Sequence, residues 1–151
     1  MKKFFTFLIL LLLIQLKVMS QCYNCNSNYP SGNQSISSGQ TIIVSTCVYG
    51  GEYSYYNVTS GITYTWNTCG DTDFDTQFTL FQGSTCGSGT VLAYNDDNCG
   101  LQSSITWTAT FTGIVTLLVS KYSCQNQSTC MTLNWSASGG GGGGGGTSCS
   151  N

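Results

Sequence analysis

The sequence predicts an all-β domain, an antiparallel β-sandwich or jelly roll of about eight strands that disulfide bonds hold together. Three observations predict it: apolar and polar residues alternate through most of the chain, glycine-rich turns separate the alternating segments, and nine cysteines are present. Period-two alternation is typical of strands with one buried and one solvated face. Several short strands at close spacing are typical of sandwiches.

The predicted strands follow one another from residue 41 onward. A β-branched run at 41–47 and a tyrosine-rich run at 52–58 come first. Alternation marks the later strands, which are predicted at residues 62–67, 76–82, 90–95, 105–111, 115–119 and 131–136. Their outward positions carry Thr, Ser, Asn and Gln, and only 7% of all residues are charged. We therefore expect a neutral, hydrogen-bonding surface.

The segments outside these strands divide the chain further. Residues 1–20 are predicted to be a secretory signal peptide, because Lys2 and Lys3 precede an apolar run and small Ser20 offers a cleavage point. Residues 21–38 are polar and are predicted to be an extended N-terminal arm, which places the β-sandwich domain at 39–137. Residues 138–151 contain eight consecutive glycines and are predicted to be a flexible tail. That tail is either a frayed end or a tether that carries Cys149 to a neighbouring chain.

Charge excludes several classes of function. Removal of the signal peptide leaves Lys121 as the one basic residue against six acidic residues, hence a net charge of −5. Phosphate groups would find almost no donors, so we exclude nucleic acid as a partner. The apolar run before residue 17 is too short for a permanent anchor, so we expect no membrane insertion. The chain has no histidine for general-base or triad chemistry, and we predict that it is not an enzyme.

The cysteines indicate an oxidising compartment. All nine lie after the predicted signal peptide, and a secreted chain with this count is expected to form disulfide bonds. We predict bonds between Cys124 and Cys130, which enclose a short loop, and between Cys69 and Cys99, which bracket two acidic loops. Nine is odd, so one thiol is free or bonds to another chain. Cys149 is the candidate for an interchain bond.

Five of the six acidic residues fall within residues 71–100. They form two clusters at the ends of two strands that are predicted to pair as a hairpin: Asp71, Asp73 and Asp75, then Asp96 and Asp97. Carboxylate oxygens from two loops are the ligands that Ca²⁺ prefers, so a structural calcium site is one interpretation. The other interpretation is that these residues form turns by hydrogen bonding to their own backbone.

Three motifs in the same region carry a family resemblance. Phe74-Asp75-Thr76 begins a strand, Ala93-Tyr94-Asn95-Asp96-Asp97 ends one, and the stretch 113–119 forms a late strand. Together they resemble the bacterial pre-peptidase C-terminal domain over about residues 41–135. The resemblance implies a non-catalytic jelly-roll sandwich from a family in which some members bind calcium through these loops and others bind fibrous or glycan targets. The many cysteines depart from the family's pattern.

Two functions remain open. The first is a secreted structural or adhesive protein, extracellular or at the cell surface, whose expected partner is a further copy of itself in a filament or surface layer. The N-terminal arm, the odd cysteine and the weakly charged surface favour it. The alternative is a monomeric module that binds carbohydrate or matrix. Four tyrosines would favour that alternative if they are exposed, and they give it no support if they point into the core: Tyr49, Tyr53, Tyr55 and Tyr56.

Possible N-glycosylation suits either function. Four Asn-x-Ser/Thr sequences are present, at Asn33, Asn57, Asn126 and Asn134. Asn134 is predicted to point outward, because its neighbours Leu133 and Trp135 are predicted to point inward.

Overall fold

The computed structural model describes residues 21–71 and 73–139 of the chain. The predicted signal peptide and Cys149 lie outside the described residues. Nine strands and one short 3₁₀ turn, Tyr122–Cys124, make up the fold. The strands are β1 (Ser27–Gln34), β2 (Thr41–Gly50), β3 (Glu52–Val58), β4 (Thr63–Asn67), β5 (Thr76–Gln82), β6 (Val91–Asn95), β7 (Ser104–Thr108), β8 (Gly113–Lys121) and β9 (Gln127–Ser138).

The strands form two sheets. One has five strands in the order β1-β3-β8-β5-β6, and the other has four in the order β2-β9-β4-β7. All neighbouring strands are antiparallel except β1 and β3, which are parallel. The predicted all-β sandwich is therefore confirmed, with one strand more than expected.

The core between the sheets is centred on aromatic side chains. Trp66 and Trp135 are paired neighbours on β4 and β9, and their rings stack with centroids 6.0 Å apart. Tyr56 of the opposite sheet meets Trp135 edge-on, with centroids 4.8 Å apart. Such aromatic pairs stabilise a core beyond the area they bury. The inward residues of the predicted alternating segments are the residues that fill this core.

The predicted boundary between an N-terminal arm and the sandwich is wrong. Residues 21–38 are largely extended, but Ser27–Gln34 is strand β1, which pairs with β3 at both of its ends. Ile36 packs against the main core. A polar composition did not keep this segment out of the sheet, because an edge strand needs backbone hydrogen bonds rather than apolar side chains. Pro30 is tolerated there because an edge strand can lack one N–H donor.

The segment before β1, residues 21–26, covers the outer face of the five-stranded sheet. We call it the cover segment. Cys22 is fully buried against Phe81 of β5 and Leu118 of β8. Its backbone N–H donates to Thr79 Oγ1 at 3.1 Å. This sheet therefore has a second, smaller core on its outer side.

Two disulfide bonds hold the cover segment in place. They join Cys22 to Cys124 in the 3₁₀ turn and Cys25 to Cys86 in the loop between β5 and β6. The predicted bond between Cys124 and Cys130 is wrong, because each of these cysteines bonds a residue far away in sequence.

Two further bonds complete the set. Cys130 bonds Cys47, with 4.2 Å between their Cα atoms, since β9 and β2 are neighbouring strands. The predicted bond between Cys69 and Cys99 is present. Four disulfide bonds are typical of an extracellular or periplasmic protein.

Candidate functional site

The hairpin of β5 and β6 brings the two acidic loops together. The strands pair antiparallel, with Phe78 opposite Asn95 and Leu80 opposite Ala93. This register places Asp75, which precedes β5, beside Asp96 and Asp97, which follow β6. We call this end of the sheet the acidic rim.

Three carboxylates meet at the acidic rim. One side-chain oxygen each from Asp75, Asp96 and Asp97 lies within 4.8 Å of the other two. Asp75 Oδ1 is buried and has no hydrogen-bond partner among the described residues. Burial raises the pKa of Asp75, the charges of Asp97 and Asp96 raise it further, and Lys121 opposes them. The ionised rim therefore concentrates negative charge that Lys121 offsets only in part.

Asp71 and Asp73 do not belong to this group of three carboxylates. Asp71 Oδ2 accepts a hydrogen bond from the backbone N–H of Thr132 on β9. Asp73 is exposed. The predicted set of five metal ligands is thus divided: three residues meet, one links the loop to the other sheet, and one faces solvent.

A buried serine fixes the loop that carries Asp96. Ser103 Oγ lies 2.6 Å from the backbone oxygen of Asp96, and the Ser103 N–H donates to Thr76 Oγ1 at 2.8 Å. Thr76 directly follows Asp75, so Ser103 holds the two halves of the rim at a constant separation. Sequence reasoning missed Ser103, because a serine in a polar loop gives no signal of burial.

Gln77 connects the acidic rim to the cover segment. Its side chain is 4% exposed. The amide nitrogen donates to the Tyr94 hydroxyl at 2.8 Å, and the amide oxygen accepts from the backbone N–H of Cys124 at 3.1 Å. Burial, together with the charge of Asp96, raises the pKa of Tyr94 to about 12, so this phenol stays neutral at physiological pH. Gln77 therefore links Tyr94, which lies two residues before Asp96, to Cys124 of the Cys22–Cys124 bond.

The outer face of the four-stranded sheet is different, because hydroxyl groups cover it in register. We call it the hydroxyl face. None of its four strands contains a charged residue. Two rows run across neighbouring strands: Thr41, Ser136, Thr65 and Thr106 in one, and Ser138, Thr63 and Thr108 in the other.

Within these rows the threonine hydroxyls bond each other. The Oγ1 atoms of Thr63 and Thr108 are 2.8 Å apart, and those of Thr65 and Thr106 are 2.9 Å apart. A third row begins at the sheet edge with Ile43, which is 59% exposed, and continues through Asn134. The hydroxyl face thus joins a regular polar array to one exposed apolar side chain.

The four tyrosines around the Gly-Gly turn do not form a single surface. Tyr56 lies in the core. Tyr53 and Tyr55 are half-buried on the outer side of β3, with ring centroids 5.7 Å apart. Tyr49, at the end of β2, is 39% exposed. A surface of four aromatic rings for sugar binding is therefore ruled out.

The possible glycosylation positions differ in setting. Asn33 and Asn57 are exposed and lie within hydrogen-bond distance of each other on β1 and β3. Asn126 is exposed in the turn before β9. Asn134 is half-buried on β9 between buried Leu133 and Trp135, with its side chain on the hydroxyl face, as predicted.

The described residues contain no helix that is both long and apolar enough to cross a membrane.

Comparison with known proteins identifies a family. Residues 42–139 match a family described as a domain of unknown function, DUF8695. No curated protein matches the chain.

Among solved structures, the chain is similar to the pre-peptidase C-terminal domain of a collagenase from Bacillus anthracis, at 20% identity and a TM-score of 0.47, over 72% of this chain and 96% of that one. That domain is of the family that the sequence motifs resemble. The chain is also similar to PliG from Aeromonas hydrophila, a periplasmic inhibitor of g-type lysozyme, at 14% identity and a TM-score of 0.47, over 70% and 95% of the two chains.

Proposed function

The chain belongs to the DUF8695 family, and we propose that it is a non-catalytic extracellular module that self-associates in a filament or surface layer. The observation that carries this proposal is the hydroxyl face. It is uncharged across four strands, so a neighbouring copy could pack against it without desolvating a charge on this face or meeting a like charge there.

The edges of the same sheet would extend the contact. Strands β2 and β7 are its outermost strands, and edge strands present unpaired backbone groups to a neighbouring chain. Contacts between a face on one copy and an edge on the next are head-to-tail, and contacts of this kind build filaments rather than closed dimers. Donation of residues 21–38 to a neighbour is not part of this proposal, because β1 pairs with β3 of its own chain.

Cys149 would add a covalent link. Eight of the nine cysteines form the four disulfide bonds of the described part of the chain, and Cys149 is the ninth. One interchain disulfide per chain joins only two copies. A larger assembly would therefore consist of covalent pairs held together by the non-covalent face.

We further propose that the acidic rim holds a structural calcium ion through Asp75, Asp96 and Asp97. The donor set fits, because Ca²⁺ takes carboxylate oxygens and Asp75 Oδ1 is a buried acceptor without a hydrogen-bond partner among the described residues. Its affinity would be in the range of extracellular modules, roughly 10⁻⁴–10⁻³ M. The ion would offset most of the negative charge of the three carboxylates and take no part in a reaction.

Light scattering on the purified mature protein tests self-association. We expect assemblies larger than a monomer, and we expect Thr106→Lys to disperse them because it places a charge in the middle of a hydroxyl row. Thr85→Lys is the matched control, since Thr85 is also exposed but lies in the loop between β5 and β6. A wild-type protein that is monomeric with and without reductant would overturn the proposal.

A further inference from the structure

A cavity of about 300 Å³ lies where the cover segment meets the Gly50-Gly51 turn and the start of β9. Three separate parts of the chain line it, with the residues Asn26, Ser27, Tyr49, Glu52, Asn126 and Gln127. None of the three acidic-rim carboxylates lines it. Its volume is at the lower end of the range for small-ligand sites.

The cavity contains the one glutamate of the chain. Glu52 is 8% exposed, which is unusual for this residue type unless a charged partner compensates it. Its carboxylate accepts from the Tyr49 backbone N–H at 2.8 Å and lies 3.4 Å from Ser27 Oγ. Both partners are neutral, and no basic residue lines the cavity. A buried carboxylate thus keeps acceptor capacity beside an open space.

Two glycines let residues Asn126 and Gln127 pack closely against the Gly-Gly turn. A Cβ at Gly50 would lie 2.9 Å from the backbone nitrogen of Gln127, and a Cβ at Gly51 would collide with Asn126 Oδ1. Gly51 also has a φ of +100°, a conformation that other residues rarely adopt. The Gly-Gly turn therefore brings the Asn126–Gln127 backbone directly against the strand that carries Glu52.

We propose that this cavity binds the terminal residue of a neutral saccharide. Sugar hydroxyls would donate to the Glu52 carboxylate. The side-chain amides of Asn26, Asn126 and Gln127 would bond the remaining hydroxyls. The half-exposed ring of Tyr49 would cover the apolar face of the sugar, an arrangement typical of sites that combine a few polar groups with an aromatic wall. Acidic sugars are disfavoured, because no cation lines the cavity and Glu52 would repel them.

This inference is independent of self-association, since a monomer could bind a saccharide equally well. Its test uses the monomeric fraction of protein that was produced without N-glycans, so that Asn126 is unmodified, in the presence of EGTA. The probes are methyl glycosides of glucose, galactose, mannose, fucose and N-acetylglucosamine, and binding is followed by saturation-transfer NMR and titration.

We expect at least one glycoside to bind. Glu52→Gln, which removes a buried acceptor, and Tyr49→Ala, which removes the aromatic wall, should each raise its dissociation constant by about tenfold or more. Tyr122→Ala is the matched control, as Tyr122 is 51% exposed and does not line the cavity. Tyr49 is exposed enough for its variant to fold even if Glu52→Gln does not. The proposal is overturned if no glycoside binds or if folded Tyr49→Ala binds like wild type.

Discussion

The two sheets of this sandwich have opposite outer faces. On the five-stranded sheet, Phe81 and Leu118 point outward yet are fully buried beneath the cover segment. On the four-stranded sheet, the outward positions are hydroxyl residues such as Thr65 and Thr106, which lie open to solvent or half-buried among one another. Both faces arise from the same period-two strand pattern. The difference shows that a pair of adjacent outward apolar residues, Phe81 and Leu118, lies under a covering segment, whereas the hydroxyl rows and the single apolar residue Ile43 lie on an open face.

The two faces contribute to different properties. Burial of two large apolar side chains outside the main core stabilises the fold by about 3–6 kcal/mol, a large fraction of the 5–15 kcal/mol typical of domains. The hydroxyl face contributes little to stability, and the contacts that it could make are with other molecules. The predictions below test this division, from the largest expected effect to the smallest.

Truncation of a side chain beneath the cover segment should have the largest effect on the free energy of unfolding. We expect Phe81→Ala to lower the free energy of unfolding by about 3–5 kcal/mol, because it leaves a cavity under the cover segment. Thr106→Ala on the hydroxyl face should change it by less than about 0.5 kcal/mol. Denaturant unfolding of both variants measures the difference. Equal losses for the two variants would contradict the comparison.

The disulfide bonds of the cover segment rank next. Replacement of Cys22 and Cys124 by serine should cost about 2–4 kcal/mol, because that bond closes a long loop and shields the second core. The same replacement at Cys69 and Cys99 should cost about 1 kcal/mol less on chain-entropy grounds, since their sequence separation is 30 rather than 102 residues. Thermal unfolding of both double variants measures the two losses. A stable Cys22/Cys124 variant that does not bind a hydrophobic dye would show that the cover segment is dispensable.

Calcium should have a smaller effect. At about ten to a hundred times the dissociation constant, calcium should stabilise the wild-type protein by about 1.4–2.7 kcal/mol, and EGTA should remove this gain. Asp75→Asn should abolish the response. Because the folded-state pKa of Asp75 is raised, its ionisation disfavours the folded state at neutral pH. In EGTA the variant should therefore be at least as stable as the wild type.

Lowering the pH tests whether ionised Asp75 destabilises the folded state, as its raised pKa implies. Without calcium, ionised Asp75 lowers the free energy of unfolding at pH values above its raised folded-state pKa. This loss disappears as the pH falls below the ordinary carboxyl range, where Asp75 is protonated in both the folded and the unfolded state. The calcium response should fade over the same window, because protonation removes a ligand. Thermal unfolding with and without calcium across this range measures both effects. A calcium response that persists in Asp75→Asn would place the ion elsewhere.

The strands could be predicted from the sequence because burial on one face determines alternation directly. β5 has the bounds that the pattern predicted, Thr76–Gln82, and its pairing with β6 follows from the short turn between them. Three of the five predicted carboxylate ligands meet for the same reason. Whether Asp71 and Asp73 join them depends on loop conformation, which the strand pattern does not determine.

β1 and the disulfide pairing could not be predicted in this way. The β1 sequence is polar and contains Pro30, so neither period nor composition marks it as a strand. Disulfide connectivity depends on which strands become neighbours in space, and Cys22 and Cys124, which are 102 residues apart in sequence, are brought together by the tertiary fold. One signal was available: Leu117 and Leu118 are consecutive on β8, and they cannot both face the main core of a sandwich.

Disulfide mapping of the purified protein tests the central claim most directly. Peptic digestion without reduction, followed by mass spectrometry, would identify the partner of each cysteine. The covered face requires that Cys22 be joined to Cys124 and Cys25 to Cys86. A bond between Cys22 and Cys25 would remove both disulfide links between the cover segment and the sheet, and a bond between Cys124 and Cys130 would remove one of them. Either result would contradict the account.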